Sequence, residues 1–165
     1  MSLQGYDIRG VANFVLELAD EHNLPVTNLA LNKILYFLHV VFLHETKRPL
    51  VSAKIEAWQH GPVFREIYHQ FKCFGKAAIS AKATKIDPMT GNRVEVKIEM
   101  ESSEQQIILN HCIELLKIRP SALVDMSHVE DGAWFHARFS RGSVNPGIEI
   151  TNELIMELSD RQSRH

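Results

Sequence analysis

Between Asn28 and Glu45 the chain carries apolar residues at too many helical positions for a single face to hold them. Leu31, Ile34, Leu35, Leu38, Phe42 and Leu43 recur at spacings of three and four, which predicts an α-helix with one strong stripe. Leu29, Tyr36, Phe37, Val40 and Val41 then widen the apolar surface around much of the circumference. A helix of that kind needs neighbours on several sides, so it is expected to be the central helix of the fold. Thr27 is placed to cap its start. Lys33 and Tyr36 are the polar features expected to reach an edge, with Lys33 read either as a snorkelling surface residue or as one with a specific partner.

The other elements are shorter. Ile8, Val11, Phe14, Val15, Leu18 and Ala19 predict an amphipathic helix from Ile8 to Glu21, ended by Asn23-Leu24-Pro25. Ile55 to Gly75 contains Trp58-Gln59-His60-Gly61-Pro62, a turn in which Gly61 relaxes and Pro62 restricts the backbone. Pro62 suits the first turn of a helix, so Trp58 to Gly61 is read as an approach and Pro62 to Phe74 as a helix. Ala81 to Ile86 and Arg93 to Glu99 alternate apolar with charged residues around a Pro88- and Gly91-containing turn, which predicts a β-hairpin. A third long helix is expected from Glu104 to Ile118, capped by Ser102 or Ser103, with Ile107, Ile108, His111, Cys112, Leu115 and Leu116 facing inward. A short helix from Ser121 to Met126, a loop through Ser127 to Trp134 and a final helix from Asn152 to Ser159 behind Thr151 complete the chain. The expected fold is mainly α with a small β-hairpin: one compact domain of 165 residues with its core between Ile8 and Ser159.

Eighteen basic and twenty acidic residues leave a formal charge of -2, so no global charge draws the chain to nucleic acid. Arg138, Arg141, Arg161 and Arg164 give a modest C-terminal bias, with Arg138 and Arg141 read as ordinary solvated charges. The N-terminal stretch has no signal-peptide pattern, and the longest apolar run, Ile34 to Leu43, is too short to span a bilayer. Cys73 and Cys112 match no metal or redox spacing, and free thiols that are at least partly buried are expected, in a cytoplasmic protein. Nine histidines form no metal motif: His39 and His44 are five apart, where ligands on one helical face stand three or four apart. No metal and no cofactor are expected. His60 and His128 each lie at a turn beside a tryptophan-containing motif, either holding the loop through backbone bonds or lining a shared recognition groove.

Leu31-Asn32-Lys33-Ile34-Leu35-Tyr36-Phe37, the Ala57-Trp58-Gln59-His60-Gly61-Pro62-Val63 segment, then Tyr68, Phe71 and Gly75, and last Leu123 to His128 with Trp134, occur in an order that resembles the Panacea domain family, the SocA-like or GepA-like proteins. The resemblance covers Ile8 to Ser159 and departs from the usual pattern at Ala30, Asn32 and Ser127. It implies a mainly helical fold with a small β element and an antitoxin role in bacterial or prophage toxin–antitoxin pairs. The implied partner is a cognate toxin protein encoded nearby, neutralised by direct binding or by delivery to a cytoplasmic protease, with no enzymatic step. Lys33, Tyr36, Trp58, His60, Tyr68, His128 and Trp134 are the candidate groove residues, and Gly61 and Pro62 the structural turn. Two other classes stay open: a hydrolase or nuclease-like enzyme using His60 and His128 as acid and base, and a DNA-binding regulator with a basic face.

Overall fold

The structure, a computed structural model, describes residues 4–139 and 148–163, with side chains described through 159. Within it lie seven α-helices and two antiparallel two-stranded sheets, a mainly α fold with a small β part. The first helix, α1 (Ile8–Glu21), begins at Asp7, whose carboxylate accepts the Arg9 amide at 3.0 Å. The second, α2 (Asn28–Thr46), is capped by Thr27, whose Oγ1 accepts the Ala30 amide at 3.2 Å. Both cover the expected ranges. α2 is the hub: α1, four of the five helices described below and one strand of the first hairpin pack on it, which is how its apolar circumference is covered.

The Gly61-Pro62 corner is not a helix start. β1 (Glu56–Trp58) pairs with β2 (Gly61–Val63) across Gln59-His60, in the register Glu56 to Val63, Ala57 to Pro62 and Trp58 to Gly61. Gln59 and His60 keep negative φ, and the positive φ that closes such a hairpin falls on Gly61, at 112°. The helix that follows, α3 (Arg65–Phe71), starts three residues later than expected and ends in a 3-10 turn, Lys72–Phe74. Pro62 is tolerated in a strand because it has no amide to pair and β2 is an edge.

The predicted second hairpin is present but short, β3 (Thr84–Ile86) against β4 (Arg93–Glu95). It is fastened to α1 by buried Asn13, whose Oδ1 accepts from Ala83 N at 2.7 Å and whose Nδ2 donates to Ala83 O and Val96 O at 2.9 Å each. α4 (Ser102–Leu116) lies against α1 and α2, and the serines expected to cap it sit inside its first turn behind Glu101. Ile108, Cys112 and Leu116 are buried as expected, whereas Ile107, His111 and Leu115 are only half-buried. Cys73 is exposed, against expectation. α5 (Pro120–Ser127) starts at Pro120, and a helix the sequence did not announce, α6 (Ala133–Phe139), follows it. α7 (Asn152–Ser163) is capped by Thr151 and runs past the expected end at Ser159.

Candidate partner-binding pocket

The β1–β2 hairpin is held by side chains and backbone on both edges. On the β2 side, α2 supplies what a third strand would: Lys33 Nζ donates to Pro62 O at 3.0 Å, and Asn32 Oδ1 accepts from Phe64 N at 3.0 Å. Asn32 is fixed in turn by its Nδ2, which donates to Asn28 O and Asn28 Oδ1, while Asn28 Nδ2 donates to Tyr68 O. On the β1 side, Ala57 N donates to Ile148 O at 2.8 Å and Ile150 N to Ile55 O at 2.9 Å. Trp134 Nε1 donates to Trp58 O at 2.7 Å, and Arg138 donates to Ala57 O at 3.0 Å. Two exposed strand edges are thereby closed.

Lys33 and Tyr36 do not reach an edge of the fold. Lys33 is 0% exposed and Tyr36 6%, because helices and the hairpin surround α2 on all the faces they occupy. Burial pulls the Lys33 ammonium down from its usual value to about 8 and pushes the Tyr36 hydroxyl well up. Gly61 lies directly over this lysine: a Cβ there would come within 2.6 Å of Lys33 Cε and 2.5 Å of Ser127 Oγ. The glycine serves the close approach as much as the turn. Asn32, Ser127 and Ala30, where the sequence departs from the resembled pattern, are all buried, Ser127 at this contact.

Four of the candidate residues share one pocket. Lys33, Trp58, His60 and Tyr68 line it together with Asn28, Leu29, Asn32, Gln59, Val63 and Gly75, around a volume of ≈ 330 Å³. Trp58 meets Tyr68 edge to face, with centroids 4.9 Å apart. The Trp58 indole is oriented by Glu56, whose Oε2 accepts its Nε1 at 2.7 Å and an Arg65 nitrogen at 3.1 Å. Burial opposes ionisation of Glu56, but these two donors outweigh it and hold the carboxyl below its usual range. His60 is exposed on the turn at the rim.

The other three candidates stand elsewhere. Tyr36 lines a separate apolar pocket with Phe37, Val40, Met126 and Ile155. His128 and Trp134 stack with centroids 3.7 Å apart and planes 12° from parallel, behind the hairpin rather than in the pocket. His128 Nε2 is enclosed without a hydrogen-bond partner, and burial, then the Lys33 charge, lower its pKa against an opposing pull from Asp125. Among the described residues no carboxylate orients either His60 or His128 through a hydrogen bond, so the acid–base pair lacks the orienting group such chemistry uses. Arg138 is not an ordinary solvated charge: besides its bond to Ala57, its guanidinium lies 5.5 Å from the Trp134 ring centre. Arg141 and Arg164 fall outside the described residues, as does the side chain of Arg161. Among the described residues no group of three His, Cys, Asp or Glu could hold a metal, and no helix is long and apolar enough to cross a membrane.

Asn28, Asn32 and Glu56 are site residues that the sequence reading passed over. Asn28 and Asn32 are four apart on a mostly apolar helix, and Glu56 is two before Trp58 on a strand, so each spacing placed polar groups on one face.

Residues 31–135 match the family model described as Antitoxin SocA-like, Panacea domain. The chain is 36% identical over 155 residues to Antitoxin SocA of Caulobacter vibrioides (strain NA1000 / CB15N), covering 93% of this chain and 82% of that protein. No solved structure matches it. The matched residues include most of α2, both strands of the hairpin and Trp134, so all of the pocket but Asn28 and Leu29 lies inside the family's own segment, and the chain belongs to the Antitoxin SocA-like, Panacea domain family.

Proposed function

We propose that this chain is an antitoxin that binds a cognate toxin protein and blocks it by direct contact, without catalysing a reaction. The observation that carries this reading is the similarity to Antitoxin SocA along nearly the whole chain. The pocket supports it. Trp58 and Tyr68 are the residue types that anchor protein interfaces, and both are held in place before any partner arrives, Trp58 by Glu56 and Tyr68 by Asn28 through its carbonyl. The exposed Leu29 beside them extends the apolar surface. The partner is a toxin encoded beside this gene in a bacterial or prophage genome, met in the cytoplasm.

Co-expression tests the reading. Each flanking reading frame is induced alone and together with this chain, growth is followed, and complexes are isolated by affinity purification. One flanking product should arrest growth alone, be tolerated with this chain and co-purify with it. Failure of every flanking product to arrest growth, or to bind, sinks the proposal. Measuring the toxin's half-life in the same cells separates the two modes of neutralisation: a toxin that is masked persists, whereas one delivered to a protease disappears and returns when the protease is removed.

A further inference from the structure

The second hairpin leaves both of its edges unpaired. Val96 N donates to Ala83 O and Asp87 N to Asn92 O, so the even-numbered residues of β4 bond to β3, and the amides and carbonyls of Arg93 and Glu95 point outward. On β3 the outward groups are those of Thr84 and Ile86. Among the described residues nothing takes up these backbone groups. A two-stranded hairpin with bare edges invites another strand.

The two edges differ in what sits between their outward groups. On β3 it is the exposed Lys85, and a second β3 laid antiparallel about that residue would oppose one lysine to another. A lysine in mid-edge guards against such addition. On β4 it is the half-buried Val94, flanked by Arg93 and Glu95, which strand alternation places together on the opposite face. Arg93 already reaches across that face to Thr84 Oγ1, at 3.3 Å.

We propose that β4 is a self-association edge, pairing antiparallel with β4 of a second copy of this chain about a twofold axis at Val94. Arg93 then faces Glu95 of the second copy, and Glu95 faces its Arg93, at the two positions whose outward groups can exchange N–H to O=C bonds. Val94 meets Val94 on the other face, at the closer spacing of a pair that exchanges no backbone bonds. Charge also selects the register. A slip of two residues one way opposes Arg93 to Arg93; the other way it opposes Glu95 to Glu95 and Arg93 to Lys97. In the proposed register Lys97 meets Gly91, Lys85 lies a strand away from the seam, and Lys82 is held by Asp20 at 2.7 Å, so no like charges face each other across it. Such a short edge buries far less than a standard interface, so the dimer is weak, with a dissociation constant between about 1 μM and about 1 mM. The Trp58–Tyr68 pocket uses no residue of β3 or β4, so the pairing occupies a different surface and a dimer carries two such pockets.

Sedimentation equilibrium from about 10 μM to about 1 mM tests this, and wild type should move from monomer toward dimer mass across that range. Arg93→Glu and Glu95→Arg should each raise the dissociation constant about tenfold or more, since each sets like charges across the seam. Mixing the two variants, or combining both changes in one chain, should restore association, because opposite charges face each other again. Both side chains are exposed, so thermal unfolding should show each variant folded. By NMR, the amides of Arg93 and Glu95 should gain protection from hydrogen exchange as concentration rises, and those of Thr84 and Ile86 should not. A wild-type chain that stays monomeric to about 1 mM overturns the proposal. Dimers that ignore both charge changes, or that protect Thr84 and Ile86 instead, overturn it as well.

Discussion

Replacing Lys33 by methionine gives the sharpest test of how the corner is held, because the two expected effects respond differently to pH. The side chain is 0% exposed, and burial lowers its pKa from 10.5 to about 8. At about 1.4 kcal/mol for each tenfold, that gap costs the native state about 3 kcal/mol. The sign follows from proton counts. Below pH 8 both native and unfolded chains hold the proton, and the full cost is present. Between pH 8 and 10.5 the unfolded chain still binds the proton and the native one has released it, so wild-type stability gains with rising pH. Lys33→Met removes this term and strips Pro62 O of its donor, an opposing loss of about 1–3 kcal/mol. The difference at neutral pH therefore sits near zero and decides nothing. Urea unfolding of both proteins from about pH 7 to about pH 10.5 decides the matter. Relative to the variant, wild type should gain about 3 kcal/mol across that range, since other titrating groups are common to both and cancel. Parallel curves would refute the claim that Lys33 is charged and desolvated in the native fold.

Three further outcomes are expected. Gly61→Ala should destabilise by about 2–4 kcal/mol in chemical unfolding, since the new Cβ meets Lys33 and Ser127 at a φ of 112°. Asn13→Ala should cost about 2–3 kcal/mol and release the Ala83 amide to fast hydrogen exchange, because three buried hydrogen bonds to the second hairpin are lost. Burial holds the His39 imidazole below its usual 6.5, so native stability should fall as pH drops below that value. His39→Gln should flatten that acid limb by up to about 1.4 kcal/mol per pH unit in unfolding titrations.

The long elements were legible because each carries its own periodicity. α1 and α2 match their expected ranges, since a stripe of apolar residues and a capping Asp7 or Thr27 are local signals. The Gly61-Pro62 corner was misread because Pro62 satisfies two local rules at once, first turn of a helix and edge of a strand, and what selects between them is distant. Lys33, Asn32 and residues 148–150 supply the hydrogen bonds that make a three-residue strand worthwhile. α6 escaped for a related reason: seven residues give too few turns for a period, and its contacts with β1 and α7 stabilise it. The burial of Lys33 was hidden by the same property that identified α2 as central. A helix apolar on most sides does not reveal which of its polar residues faces a neighbour, and here the neighbour is a hairpin whose existence was itself unread. The pocket residues Trp58, His60 and Tyr68 were found because aromatic and turn residues cluster in sequence; Asn28 and Glu56 act through hydrogen bonds that only the folded backbone defines.

The outer edge of β1 has a consequence for how the molecule comes into being. Its partners are Ile148 and Ile150 in backbone and Trp134 and Arg138 in side chain, all of which leave the ribosome long after Trp58 does. The corner is thus made in two instalments: strand pairing and the α2 contacts first, closure much later. Pairings so far apart along the chain form late and slowly. A nascent chain, or a fragment cut before α6, presents Ile55 to Trp58 as an open edge on which any extended segment can add itself. Quality of synthesis, as well as sequence, therefore determines whether this strand ends up sealed inside its own fold or paired with a stranger.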